Sequence, residues 1–235
     1  MPKELRYVVV LTLIAGGSAG LLATVHEATR GPIAASRKAR TIQALQAVLP
    51  EFDNVPTDER VVVGAADPAA PTESEANRLP VVYTARKGGR VAGGAVQVIH
   101  PRGYGGPVKV LVGLEGDPAG TVKVRGYRFL EHKETPGLGT KALEPPFATQ
   151  FEGFEVPAGP LKVKKDGGTV DAITGATITS RVVAESIGEA ARLFREHGGR
   201  GVLRAGGPAG GDAAAPASGG GAEPEPGPGA GGDHE

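Results

Sequence analysis

A seven-residue stretch, residues 171–177 with the sequence Asp-Ala-Ile-Thr-Gly-Ala-Thr, places hydroxyl side chains around a glycine. Apolar residues then recur at helical spacing, at Val182, Val183, Ile187, Ala190, Ala191 and Phe194. The stretch is therefore predicted at or just before a helix N-terminus, where free backbone N–H groups and the positive end of the helix dipole favour an anion. A phosphate could be held there. The alternative is structural: Thr174, Thr177 or Thr179 caps the helix after a glycine turn.

A second segment, residues 132–139, reads His-Lys-Glu-Thr-Pro-Gly-Leu-Gly and follows a strand-like run. Pro136 makes such a loop rigid, whereas its glycines allow backbone conformations that other residues avoid. By itself Glu134 would be an ordinary surface acid. A third segment, residues 103–106, reads Gly-Tyr-Gly-Gly. The occurrence of all three segments in one chain is a more specific signal than any one of them alone.

In this order and spacing, the three segments resemble the FMN-binding domain of the G subunit of the Rnf electron transport complex. The C subunit of the sodium-pumping NADH:quinone reductase carries similar motifs and stays open as an alternative. The resemblance covers about residues 7–197. It implies that FMN is joined through its phosphate to a threonine hydroxyl by a dedicated flavin transferase. The acceptor is the last threonine of the pattern Asp-x-x-Ser/Thr-Gly-Ala-Thr, which is Thr177 here.

The same resemblance implies roles for the residues around the acceptor. Thr174, Gly175 and Ala176 precede Thr177 and belong to the cofactor site, and the transferase recognises Asp171. The loop after the strand forms the pocket for the flavin ring, with Leu138 against the ring. Its polar contacts, which tune the flavin potential, are the side chains of Glu134 and Thr135 and the backbone N–H groups of Gly137 and Gly139. From periodicity alone, Leu138 would instead be a core leucine.

Composition excludes several classes of function. Lys and Arg together number 26, as do Asp and Glu, so no basic field indicates a nucleic-acid partner. The chain has no cysteine, which excludes disulfides, iron–sulfur clusters and a cysteinyl flavin link, but an ester through threonine is available. The five histidines are far apart and show no metal-ligand spacing. We therefore predict no metal site.

Residues 7–25 carry no charged side chain and are predicted to cross a membrane once as a helix. Lys3 and Arg6 precede the span, so the positive-inside rule places residues 1–6 in the cytoplasm. The remaining chain would then lie on the periplasmic, or extracytoplasmic, side of the inner membrane. A cleaved signal peptide is the alternative, because Ala and Gly within residues 15–23 could offer a cleavage site.

After the span, residues 26–78 are predicted to form a linker, with an amphipathic helix at 36–49 and a surface loop at 67–77. The FMN-binding domain is predicted over residues 79–200. Its hairpins pair residues 79–85 with 90–99 and residues 107–114 with 121–132, and a short strand at 161–164 and a helix at 179–197 follow. This is an α+β class, with an antiparallel sheet and flanking helices. The Gly, Pro and Ala-rich tail at 206–235 is predicted to be disordered.

The resemblance implies a membrane-anchored electron carrier in a redox-driven ion translocase, working between ferredoxin and NAD chemistry. The chain carries no Gly-x-Gly-x-x-Gly dinucleotide fingerprint and no cluster cysteine, so it is not expected to complete a reaction alone. Its expected partners are iron–sulfur and other membrane subunits, together with the flavin transferase. A different class of function also stays open: a non-catalytic extracytoplasmic binding or sensing module in which Thr177 only caps a helix.

Overall fold

The computed structural model of the protein describes residues 2–67, 70–116 and 120–198. Its helices are α1 (Lys3–Val48), α2 (Glu73–Arg78) and α3 (Thr177–Leu193), and its strands are β1 (Arg60–Val62), β2 (Val81–Lys87), β3 (Arg90–Gly103), β4 (Gly106–Gly116) and β5 (Val122–Glu131). Short 3-10 turns span Gly139–Leu143, Thr149–Phe151 and Lys164–Asp166, and a π-helical turn, Phe194–Gly198, follows α3. The predicted tail at 206–235 lies outside the described residues.

The five strands form one antiparallel sheet in the order β1-β2-β3-β4-β5, so each strand pairs with its neighbour in sequence. Gly88 and Gly89 have positive φ angles and form the turn between β2 and β3. The predicted class, α+β with an antiparallel sheet and flanking helices, is confirmed. The two predicted hairpins are neighbours in this sheet, and β1 adds an edge strand that the sequence analysis did not predict.

Helices cover both faces of the sheet. Along β4, Val110 and Val112 belong to a core that includes α3, whereas Leu111, between them, belongs to a second core with the end of α1. All three side chains are fully buried. This alternation follows from the period of two along a strand, and it explains why β4 reads as a continuous apolar run. The sheet therefore holds α3 on one face and the last turns of α1 on the other.

Helix α1 is continuous, although the sequence predicted separate helices at 7–25 and 36–49. Pro32 lies inside it without ending it; the ring removes one backbone donor, and both flanking segments remain helical. At about 1.5 Å per residue the helix is roughly 69 Å long. Among the described residues, α1 is the helix that is long and apolar enough to cross a membrane. None of its most apolar 18-residue stretch is buried against the rest of the protein. It is consistent with a single-pass anchor.

Two further segments differ from the sequence analysis. The strand predicted at 161–164 does not form: Val163 makes one isolated parallel bridge with Val170, and the chain then turns into Lys164–Asp166. Gly167, at a φ of 80°, ends this turn in the left-handed conformation and turns the chain back toward Val170. Most of α2 falls within the loop predicted at 67–77, and its N-cap residue Thr72 forms a reciprocal capping box with Glu75.

Candidate functional site

The three segments singled out in the sequence meet at one end of the sheet. The tip of the β3–β4 hairpin packs against the loop that follows β5, and the Gly105 N–H lies 3.5 Å from Glu134 Oε1. A Cβ at Gly105 would overlap the carbonyl oxygen of Lys133, and a Cβ at Gly103 would come within 2.8 Å of Glu134 Oε1. The close approach of hairpin and loop therefore requires glycine at both positions.

Glu134 lies beneath this loop and is only 5% exposed. Its Oε2 accepts a hydrogen bond of 2.6 Å from Thr179 Oγ1, in the first turn of α3. A Cβ at Gly139 would collide with the same carboxylate oxygen. Glu134 thus anchors the hairpin tip and the loop to α3. Its expected contact with a flavin ring stays a prediction, but the structure also gives this carboxylate a structural contact that the sequence did not indicate.

The crest of the loop is open to solvent. Thr135, Gly137 and Leu138 are exposed, and the Leu138 side chain retains 46% of its accessible surface. Leu138 is therefore not a core leucine. Its Cδ2 atom would lie 3.7 Å from a Cβ at Gly175, so the crest faces the Thr-Gly-Ala-Thr segment. The Gly137 N–H donates to Thr140 Oγ1 at 2.9 Å, which keeps this amide inside the loop.

Helix α3 begins at Thr177 without a side-chain cap, because its N-cap residue is Ala176. Thr174 is exposed and lies in the turn before α3, Thr177 is partly exposed, and Thr179 bonds to Glu134. None of the three threonines caps the helix. The alternative from the sequence, in which one of these threonines serves as the N-cap, is therefore not observed. Ser180 fixes the turn instead: its Oγ accepts from the Ile173 N–H at 2.9 Å.

A cationic side chain lies beside the Thr177 hydroxyl. Lys165 Nζ is 3.5 Å from Thr177 Oγ1. The next residue, Asp166, makes a bidentate ion pair with Arg181 of α3 at 2.6 and 2.8 Å. The hydrogen bond from Arg181 lowers the pKa of Asp166 below its ordinary value, and the same bond raises the pKa of Arg181. This pair holds the Lys164–Asp166 turn against α3 and so places Lys165 next to Thr177.

Asp171, the first residue of the 171–177 segment, is held by two neighbours. Its Oδ1 pairs with Lys164 Nζ at 2.7 Å, and its backbone N–H donates to Gln150 Oε1 at 2.9 Å. The carboxylate side chain is nevertheless 70% exposed, so another protein could still contact it. Lys164 and Gln150 were not singled out in the sequence, because neither contact has a local sequence signal.

A cavity of about 550 Å³ lies alongside the start of the 171–177 segment. Its lining residues come from two segments: Lys141, Glu144, Pro145, Pro146, Phe147 and Gln150, and Asp171, Ala172 and Ile173. A larger groove of about 900 Å³ lies between α1 and β5, but no residue of the 171–177 segment lines it. Of the two, only the smaller cavity adjoins residues 171–177, and its size is within the range of small-ligand sites. In the part of the chain that the structure describes, no His, Cys, Asp and Glu cluster could hold a metal.

Comparison with known proteins places these features in a family. An FMN-binding domain matches residues 103–192, which contain all three segments. The chain is 35% identical over 185 residues to the G subunit of the ion-translocating oxidoreductase complex of Shewanella piezotolerans, covering 76% of this chain and 83% of that protein. It is 39% identical over 189 residues to the G subunit of the same complex in Cereibacter sphaeroides, covering 77% of this chain and 79% of that protein.

A solved structure, the C subunit of the Na⁺-translocating NADH-quinone reductase from Parabacteroides distasonis, is 24% identical and covers 66% of this chain and 81% of that one, with a TM-score of 0.44. The G subunits, in contrast, are related by sequence at 35% and 39% identity over more than three quarters of their length. From this relationship, the chain belongs to the family of G subunits of the ion-translocating oxidoreductase complex.

Proposed function

We propose that this protein carries FMN as a phosphodiester on Thr177 and relays electrons within a membrane-bound, ion-translocating oxidoreductase complex. One observation carries the proposal: the Thr177 hydroxyl is partly exposed at the first residue of α3, takes no capping role, and lies 3.5 Å from Lys165 Nζ. Thr177 is the last residue of the full pattern from Asp171, which lies inside the region that matches an FMN-binding domain.

The residues at this position suit an attachment reaction. Thr177 Oγ forms a bond to the phosphorus of the flavin phosphate, and the phosphoanhydride bond of a flavin-dinucleotide donor breaks. The nucleoside monophosphate leaves with the electron pair of that bond, and a base of the flavin transferase takes the hydroxyl proton. Gly175 has a φ of 83°, which an L side chain rarely adopts, and it leaves the approach to Thr177 sterically open. The step involves no oxidation or reduction.

The surrounding residues fit a bound flavin nucleotide. The uncapped first turn of α3 offers backbone N–H groups to the remaining negative charge of a phosphodiester. Leu138 presents a half-exposed apolar surface beside Gly175, and the Glu134–Thr179 bond fixes that loop relative to Thr177. When bound, FMN supplies one- and two-electron transfer. The protein's part is to hold the flavin at a fixed position at the edge of the domain.

The alternatives from the sequence are less well supported. A binding or sensing module would use Thr177 as a helix cap, whereas α3 has no side-chain cap. A component of the sodium-pumping quinone reductase would use the same linkage, but the relatives with 35% and 39% identity are G subunits of the ion-translocating oxidoreductase complex. Membership of that family supports the proposal that ferredoxin, NAD and ion chemistry reside on iron–sulfur and other membrane subunits.

The orientation is also part of the proposal. Lys3 and Arg6 precede the apolar part of α1, and positive charges favour the cytoplasmic side of a membrane span. The domain that carries Thr177 would then lie on the extracytoplasmic side of the inner membrane. Covalent attachment suits that location, because a reversibly bound flavin would be lost by mass action where no free FMN is supplied.

Substitution of the acceptor tests the proposal. We expect Thr177→Val to abolish flavin that survives denaturing electrophoresis, because valine keeps the shape and removes the hydroxyl. Thr177→Ser, which keeps a hydroxyl, should retain labelling, and Thr169→Val, at an exposed threonine outside the pattern, should leave labelling unchanged. The variants are co-expressed with a flavin transferase, and in-gel fluorescence is measured. Fluorescence on denatured Thr177→Val equal to wild type would remove Thr177 from this role.

A further inference from the structure

We propose that Lys165 is the counter-ion of the flavin phosphodiester on Thr177 and accelerates its formation. The inference rests on the proposed function, and it assigns a role to a residue outside the attachment pattern. Its starting point is the contact between Lys165 Nζ and Thr177 Oγ1, at 3.5 Å. The oxygen at this distance is the atom that becomes the ester oxygen, so the phosphate group would be bonded next to the ammonium group.

Neighbouring charges leave Lys165 available for an anion. Lys164 pairs with Asp171 at 2.7 Å, and Arg181 pairs with Asp166 at 2.6 Å. Lys165 lies between Lys164 and Asp166 in the sequence, yet among the described residues its Nζ forms no ion pair within 4 Å, and its hydrogen-bond partner is the neutral hydroxyl of Thr177. In the unmodified protein, a contact between an exposed lysine and a neutral hydroxyl contributes little to stability. Once that hydroxyl carries a negative phosphodiester, the same position allows the ammonium group to form an ion pair.

The backbone around Lys165 restricts where its side chain can go. Gly167 ends the short turn, and Asp166 is clamped to Arg181 by two hydrogen bonds. The bridge between Val163 and Val170 fixes the other side of the turn. Because Lys165 directly precedes the clamped Asp166, its backbone is restrained by the contact with Arg181 of α3. The side chain reaches Thr177 from a restrained backbone, which lowers the entropy cost of the contact.

The chemical consequence is electrostatic. During transfer the phosphoryl oxygens carry the negative charge, and the ammonium group of Lys165 stabilises that charge without exchanging an atom. In the product one negative charge remains on the phosphodiester, and Lys165 pairs with it together with the amides at the start of α3. Thr177 is the acceptor, and Lys165 is the group that the reacting phosphate contacts.

The test measures attachment rates in a reconstituted reaction. The full-length apoprotein in detergent is mixed with purified flavin transferase, a flavin dinucleotide and the divalent cation that the transferase requires. The rate of covalent flavin incorporation is followed at limiting acceptor concentration. Lys165→Gln should slow incorporation roughly threefold to tenfold, because an exposed charge contributes modestly and a charge-assisted hydrogen bond contributes more. Lys165→Arg should stay close to wild type, and Lys165→Glu should be slower than Lys165→Gln.

Lys162→Gln is the matched control, since Lys162 is an exposed lysine of the same segment that makes no hydrogen bond with Thr177. The difference between wild type and Lys165→Gln should also shrink at high salt, which a loss of packing would not do. Equal rates for wild type and Lys165→Gln, or an equal loss in Lys162→Gln, would overturn the assignment of Lys165. Absence of labelling on wild-type protein, in contrast, would overturn the proposed function itself.

Discussion

The carboxylate of Glu134 and the hydroxyl of Thr179 are joined by a hydrogen bond of 2.6 Å between two side chains that are 5% and 1% exposed. This bond links the loop after β5 to the first turn of α3, across 45 residues of sequence. Thr179 lies two residues after Thr177, and Leu138 lies four residues after Glu134. The bond therefore helps to set how the exposed part of the loop, at Leu138, and Thr177 face each other.

Removing this bond should destabilise the domain. We expect Thr179→Val to lower the free energy of unfolding by about 1–3 kcal/mol, because it leaves a buried carboxylate without its hydroxyl donor. Chemical unfolding of the detergent-solubilised apoprotein, followed by circular dichroism, measures the change. Thr169→Val is the control, since Thr169 is exposed. If both variants lost the same free energy, the bond would not anchor the loop.

Truncation of Leu138 should affect the flavin more than the fold. Because the side chain is 46% exposed, we expect Leu138→Ala to cost under about 1 kcal/mol of stability. On the flavin-loaded protein, the same change should shift the reduction potential and increase quenching of flavin fluorescence by iodide. Val55→Ala, at another exposed apolar residue (57%), should change neither quantity.

The cavity beside residues 171–173 is the other location that the flavin ring could occupy. Gln150 and Phe147 line this cavity, and Leu138 does not. If Leu138→Ala left the potential and the quenching unchanged while Gln150→Ala altered them, the ring would occupy the cavity rather than the loop crest. That result would correct the placement of the ring, although Thr177 would remain the acceptor.

Acidification should release the turn that carries Lys165. The hydrogen bond from Arg181 lowers the pKa of Asp166 below its ordinary value of 3.8, so the folded state favours the charged carboxylate. The resulting stabilisation is present above the ordinary pKa and is lost as pH falls through the folded pKa. Asp166→Asn should therefore unfold at a lower temperature than wild type at pH 7, and the two unfolding temperatures should converge as the pH falls through the lowered pKa of Asp166.

Thermal unfolding of the detergent-solubilised protein across pH measures this convergence. Glu152→Gln is the control, because Glu152 is an exposed acid with no side-chain ion pair among the described residues. Its unfolding temperature should follow wild type at every pH. A difference between Asp166→Asn and wild type that stayed constant down to acid pH would show that the carboxylate charge does not hold the turn.

Local patterns in the sequence predicted much of this fold. The apolar spacing from Val182 to Phe194 predicted α3, and alternation predicted the four longer strands, because burial on defined faces imposes these periods. Periodicity did not predict the continuity of α1, since Pro32 is a normal signal for a helix end. Helix α2 did have a local signal, the Thr72-to-Glu75 capping box, which the Pro and Ala-rich surroundings obscured.

The site was less predictable than the fold. The pattern ending at Thr177 could be identified from sequence because its residues are adjacent. The contacts of Glu134 with Thr179 and of Lys165 with Thr177 join distant or irregular segments, and no periodicity reports such contacts. Nor did the sequence indicate that Glu134 is buried; its expected contact with a cofactor stays a prediction.

The covalent link to Thr177 is tested most directly by peptide mass spectrometry of the wild-type protein after co-expression with a flavin transferase, denaturation and removal of free FMN. We predict a mass increment of one FMN phosphodiester on the peptide that contains Thr177, with fragment ions locating it on Thr177 rather than Thr174. An unmodified Thr177 peptide, obtained with a transferase that is active on a known acceptor protein, would contradict the proposed attachment.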